Sequence, residues 1–209
     1  MTARRLAIVG GAAALAYVAG LALDLAWVRV VAKPIPALAL AAFCLAFPDR
    51  YPRLLGGGLV LSALGDLLLE GEGFFLAGLV AFLAAHVAYA AAFWSEAPGL
   101  GPYRAAPCFA YGTAAFAFLR PGLGEMAVPV AVYMTAICTM LWRSAVRVGA
   151  SPRGTGSERA ALLGALLFAA SDTLIALDRF HAPIAGVRYP IILLYWAGQT
   201  GIALSARRG

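Results

Sequence analysis

Ser62-Ala63-Leu64-Gly65-Asp66-Leu67-Leu68-Leu69 places a carboxylate late in an apolar run. An ionised side chain in such a run is costly to bury and marks a site by default. A second stretch repeats the pattern much later, Ala170-Ser171-Asp172-Thr173-Leu174-Ile175-Ala176-Leu177. Each has a small residue, then Asp, then an apolar turn. A chain that carries two carboxylates in this way has to be read as membrane-embedded before it is read as anything else.

Composition agrees. Soluble domains carry roughly 25% charged residues, whereas this chain of 209 residues has 12% charged and 63% hydrophobic residues. No long polar stretch interrupts it, so residues 1–209 read as a single integral membrane domain, an all-α polytopic helix bundle. The net charge of +6 points to no nucleic-acid partner, because the arginines sit at the ends of apolar segments rather than along one stripe. They read as topology signals and contacts to membrane lipids. Cys44, Cys108 and Cys138 are far apart and lie within apolar runs, as reduced packing residues do.

Eight apolar segments follow one another, at about 6–23, 27–47, 54–70, 74–94, 103–119, 126–146, 160–178 and 189–206. A span needs roughly 17–25 residues, so eight transmembrane helices are expected. The first has the basic start of a signal peptide, but equally apolar segments follow it throughout and it is taken as a helix. With the N-terminus inside, the inner loops hold Arg4, Arg5, Arg50, Arg53, Arg104, Arg143, Arg147, Arg153, Arg159, Arg207 and Arg208. The outer loops hold only Arg29, Arg120, Arg179 and Arg188. Both termini are therefore expected in the cytoplasm of a cell with this protein in its inner membrane. Gly149–Arg159, rich in Gly, Ser, Pro and Arg, reads as the longest and most flexible loop. The third and seventh segments share the small-Asp motif, and Tyr89 follows Asp66 at the interval by which Tyr195 follows Asp172. A parallel four-plus-four repeat would produce this.

The polar residues inside the spans define the candidate site. Asp66 and Asp172 lie about 6 and 9 Å from the outer ends of their helices at 1.5 Å per residue. Lys33 and Tyr195 lie near the same depth, with His86 and Gln199 closer to the midplane. Ser62, Asp66 and Glu70 share one helix face, Phe82, His86 and Tyr89 a second, and Tyr195 and Gln199 a third. These faces are expected to converge on a polar cavity. Each residue also has a plainer reading. Either aspartate could be the ion-pair partner of Lys33, and Lys33 could snorkel to the interface. His86 could be a hydrogen-bonded bundle histidine, and the tyrosines could be ordinary packing. Glu70 and Glu72 read as a solvated loop pair. Gly56-Gly57-Gly58 reads as close helix packing, since no Lys-Ser/Thr follows it as in a phosphate loop.

Several chemistries drop out. His86 and His181 cannot make a three-histidine zinc site, and no Gly-x-Ser-x-Gly elbow occurs. No metal ligand set and no cofactor motif is found. What remains is carboxylate acid–base work, in which a proton donor in an apolar pocket is paired with a charged stabiliser.

At these residues the sequence resembles the YhhN family, which includes the transmembrane lysoplasmalogenases of animals. The matching pieces are Lys33-Pro34-Ile35-Pro36, Gly65-Asp66-Leu67-Leu68-Leu69, and Gly78-Leu79-Val80-Ala81-Phe82 with His86 and Tyr89. They continue with Gly164-Ala165-Leu166-Leu167-Phe168, Ser171-Asp172, and Tyr195 with Gln199. One departure is Gly198 before Gln199, where alanine is expected. The resemblance implies hydrolysis of the vinyl ether of a lysophospholipid substrate, releasing a fatty aldehyde and a glycerophospho-ethanolamine or -choline, with no metal or cofactor. It implies Asp66 and Asp172 as catalytic residues and Lys33, His86, Tyr89, Ser171, Tyr195 and Gln199 as substrate contacts. A small transporter is the alternative, since a proline-interrupted second helix and polar residues at mid-membrane depth also suit alternating access.

Overall fold

A computed structural model describes residues 2–208, and among these it contains α-helices, one short 3-10 turn and no strand. The helices are α1 (Ala3–Ala22), α2 (Ala26–Ala32), α3 (Pro34–Leu45), α4 (Arg50–Glu70), α5 (Phe75–Glu96), α6 (Pro102–Leu123), α7 (Ala127–Val146), α8 (Thr155–Phe180) and α9 (Arg188–Leu204). Among the described residues, six stretches are long and apolar enough to cross a membrane, one of which joins α6 and α7, and α9 has 17 residues. The expected second segment is divided at Lys33 into α2 and α3. Pro34 and Pro36 lack the N–H groups that would bond back to Val30 and Ala32, so the helix loses its ladder there.

The helices have polar insides and apolar outsides, the reverse of a soluble helix. On α4, Ser62 and Asp66 are buried while Val60, Leu64 and Leu67 are exposed. Val80 and Val87 on α5 and Leu163 and Leu166 on α8 are exposed in the same way. The chain is a multi-pass membrane protein, and exposed apolar faces of this kind suit lipid.

Chain contacts divide the molecule into two compact units, Met1–Ala92 and Phe93–Gly209. In the first, α3 packs against α1 and α4. α4 and α5 mesh small against large. Gly58 lies under the ring of Tyr89, Gly65 under Phe82, and Gly78 under Leu69, so the contacts climb α4 as they descend α5. The three-glycine run is close packing at two of its three positions. A methyl group on Gly56 would come within 2.7 Å of Leu45, and one on Gly58 would strike Tyr89, while Gly57 faces open space.

In the second unit, α8 and α9 cross backbone to backbone. A Cβ on Gly164 would lie 2.6 Å from the Gly198 carbonyl, and one on Gly198 would lie 2.7 Å from the Phe168 nitrogen. Glycine at 198, the one departure from the expected pattern, is what lets these helices approach.

The loop after α7 corrects two expectations. The α7–α8 connection, 147–154, is the longest between the described helices, as expected, but it is shorter than Gly149–Arg159 and it is anchored: α8 already begins at Thr155, and Gly154 turns the chain at φ 89°. Arg143, Arg147 and Arg153 are buried rather than extended toward head groups. Arg143 lies 4.0 Å from the Trp94 ring centre and donates to the carbonyls of Ala97 and Gly99. Arg147 donates to Glu96 at 2.7 Å, Ser151 at 2.9 Å and Ser157 at 3.0 Å. Arg153 pairs with Glu96 and donates to the Ala206 carbonyl at 2.9 Å. Glu96 thus ties the end of α5 to the α7–α8 loop, and charges buried in this way persist because they are paired.

Candidate active site

In the first unit, Gly65 brings α5 close enough for its polar face to meet that of α4. Ser62 and Asp66 on α4, and Phe82, His86 and Tyr89 on α5, are all buried. Ser62 and Tyr89 share a hydrogen bond of 2.9 Å between their hydroxyls, and Asp66 lies within electrostatic reach of Tyr89. The His86 Nδ1 lies 2.7 Å from the Phe82 carbonyl oxygen. A carbonyl only accepts, so Nδ1 carries the proton and Nε2 is the nitrogen presented to other groups.

Lys33 sits in a different cluster from the one expected. Its ammonium donates to Glu70 at 3.0 Å, so its carboxylate partner is Glu70 rather than Asp66 or Asp172. Tyr17 of α1 donates to the same Glu70 oxygen at 3.1 Å, and Arg29 Nε lies 3.6 Å from the other. Glu70 is therefore no solvated loop residue: its side chain is 3% exposed, while Glu72 is exposed as expected. It is the last residue of α4, one turn beyond Asp66 on the inward face, and the fold covers it with α1 and α2.

In the second unit, Tyr133 of α7 donates to Oδ2 of Asp172 at 2.8 Å, which orients the carboxyl group. Next to it, Tyr111 and Thr173 are hydrogen-bonded, and Thr173 also donates to the Ala169 carbonyl at 2.7 Å. The Ser171 hydroxyl donates to the Ile191 carbonyl at 2.9 Å, linking α8 to α9. Gln199 Nε2 donates to the Tyr195 hydroxyl at 2.7 Å, and Gln199 Oε1 is buried without a hydrogen-bond partner among the described residues. The structure thus groups Ser62, Asp66, Tyr89 and His86 in one unit, and pairs Tyr195 with Gln199 in the other.

Tyr17, Arg29, Glu70 and Tyr133 were not among the expected site residues. For Glu70 there was a signal, since it continues the Ser62–Asp66 face. A lone tyrosine in an apolar helix, such as Tyr17 or Tyr133, gives none. Among the described residues, no three of His, Cys, Asp or Glu gather as metal ligands would.

The YhhN family profile matches residues 28–206, which takes in both aspartates, Lys33 and Gln199. The chain belongs to the YhhN family. Lysoplasmalogenase TMEM86A of Bos taurus is 38% identical over 192 residues, covering 86% of this chain and 78% of its own length. Lysoplasmalogenase TMEM86B of Homo sapiens is 35% identical over 197 residues, covering 88% and 78%. A lysoplasmalogenase of Mycobacterium tuberculosis is 32% identical over 178 residues, covering 78% of this YhhN-family chain and 64% of its own length. No solved structure matches it.

Proposed function

We infer that this chain is a membrane lysoplasmalogenase, cleaving the vinyl ether of a lysophospholipid to a fatty aldehyde and a glycerophospho-alcohol. The observation that carries this reading is its similarity to curated lysoplasmalogenases along most of their length. Protonation of the vinyl β-carbon gives an oxocarbenium ion. Water adds to that cation, and the hemiacetal collapses to aldehyde and alcohol. The reaction needs a carbon-protonating acid and a negative charge beside the cation. Asp66 and Asp172 are the proposed holders of these two roles. Support comes from their surroundings, since Asp66 is buried in a polar face of an apolar unit and Asp172 is oriented by Tyr133. Lys33, His86 and Tyr89 in the first unit, and Ser171, Tyr195 and Gln199 in the second, are the proposed substrate contacts.

The proposed topology is eight crossings with both termini in the cytoplasm, the chain working as one membrane domain in the inner membrane. The eight-crossing count is supported by Ala26–Leu45 being long and apolar enough for one pass across α2 and α3, and by α6 and α7 having 22 and 20 residues, enough for one pass each. The division of the chain at residues 92 and 93 agrees with the proposed parallel repeat of two four-helix halves.

The test is aldehyde release from a lysoplasmalogen by the detergent-purified protein, with chelator present, beside Asp66→Asn and Asp172→Asn. The expected result is turnover that survives chelation and falls by at least ~100-fold in each variant. Near wild-type turnover in either variant would remove that aspartate from the mechanism. No turnover, together with solute uptake in liposomes, would establish the transporter instead.

A further inference from the structure

One end of the first unit holds a cluster that acid–base chemistry does not use. The buried Glu70 carboxylate faces two cations, Lys33 at 3.0 Å and Arg29 at 3.6 Å, and is braced by the Tyr17 hydroxyl at 3.1 Å. Arg29 also holds Asp24 at 2.9 Å, but the Asp24 side chain is 96% exposed and its charge is screened by water. Lys33, Arg29 and Glu70 taken together therefore carry one positive charge in excess.

They also carry donors in excess. An ammonium has three N–H groups and a guanidinium five. Among the described hydrogen bonds, Lys33 donates only to Glu70 and Arg29 side-chain nitrogens only to Asp24, while Arg29 Nε is buried without a hydrogen-bond partner. Glu70 already receives Tyr17 and Lys33 on one oxygen and faces Arg29 with the other. Surplus charge and surplus donors, both mostly removed from water, describe a seat for a singly charged oxyanion.

Its depth matches one anion in particular. Glu70 stands one turn beyond Asp66 on the same face of α4, an axial step of about 6 Å. The glycerol backbone that joins the phosphate of a lysophospholipid to its vinyl ether is of similar length. We propose that Lys33 and Arg29, braced by Glu70 and Tyr17, bind the phosphodiester of the lysophospholipid and set its vinyl ether level with Asp66. This rests on the hydrolase reading and extends it to head-group selection. One surplus charge suits a phosphodiester, which bears a single negative charge. It is mismatched to a terminal phosphomonoester, which approaches two, and it offers nothing to an alkenylglycerol without phosphate.

The experiment compares the full-length protein with Arg29→Gln and Arg29→Lys on two substrates, an ethanolamine lysoplasmalogen and the corresponding 1-alkenylglycerol. The readout is the ratio of their kcat/KM values. Arg29→Gln should lower that ratio about 10-fold or more, chiefly through KM for the diester, and Arg29→Lys should restore most of it. Equal losses on both substrates, or an unaltered ratio, would overturn the proposal and leave Arg29 a structural ion pair. Should the wild type release no aldehyde from either substrate, the hydrolase reading fails separately. The seat is then judged by binding of a non-cleavable alkyl lysophosphoethanolamine against alkylglycerol. Arg29-dependent preference for the phosphodiester sustains it, and its absence overturns it.

Discussion

Tyr133 and Asp172 pair a predicted site residue with one that the sequence did not suggest. The phenol is buried, donates at 2.8 Å, and fixes which way the carboxyl plane turns. A hydrogen bond to a charged group contributes about 1.5–3 kcal/mol, which corresponds to roughly a 10- to 150-fold effect if all of it is felt in the transition state. Tyr133→Phe should therefore lower kcat by about 10-fold or more with KM little altered, and should displace the pH–rate profile. Steady-state kinetics across pH in detergent would check this, and an unaltered profile would make the phenol mere packing. The aspartates were legible because a carboxylate in an apolar run has few explanations. Glu70 was not, because it ends its helix beside Gly71 and Glu72 and so looks like the start of a loop. Only α1 and α2 folding over it turn it into a buried charge, and its place on the Ser62–Asp66 face is the one local sign of that.

At the scale of elements, α4 is a helix fitted on two sides. At 3.6 residues per turn, positions two apart point in nearly opposite directions, which is why Gly56 meets Leu45 of α3 while Gly58 meets Tyr89 of α5. Gly57, between them, meets nothing. Gly58→Ala should thus displace Tyr89, strain its hydrogen bond to Ser62, and destabilise the protein by about 1–3 kcal/mol. Gly57→Ala should be neutral or slightly stabilising, because alanine is the better helix former by about 1 kcal/mol. Thermal unfolding of the purified variants compares the two directly, and equal losses would refute the packing account. The extent of each helix was largely readable from hydropathy, since lipid demands unbroken apolar stretches. The break at Lys33 was signalled by its prolines. The buried clamp around Glu96 was not readable, because arginines at helix ends look alike whether they face head groups or carbonyls.

For the molecule in its membrane, those arginines bear on orientation. Arg104, Arg143, Arg147 and Arg153 hold carbonyls, hydroxyls or Glu96, so four of the eleven residues assigned to the inner side have a second reason to be there. The remaining seven still exceed the four on the outer side, and insertion responds to charge whatever the folded side chain later binds. Within the second unit the two ends of α8 then face opposite compartments. On the proposed topology Ala150, exposed just before α8, is on the cytoplasmic side, and Ala182, exposed just after it, is on the outer side. In a background lacking the partly buried Cys108, Ala182→Cys should react with a membrane-impermeant maleimide in intact cells. Ala150→Cys should react only once the cells are opened. The reverse pattern would invert the protein and put the Lys33–Arg29–Glu70 cluster at the cytoplasmic surface, changing the leaflet from which a lysophospholipid could reach it. Reaction of both in intact cells would instead mean that α8 does not cross, which would end the eight-crossing topology.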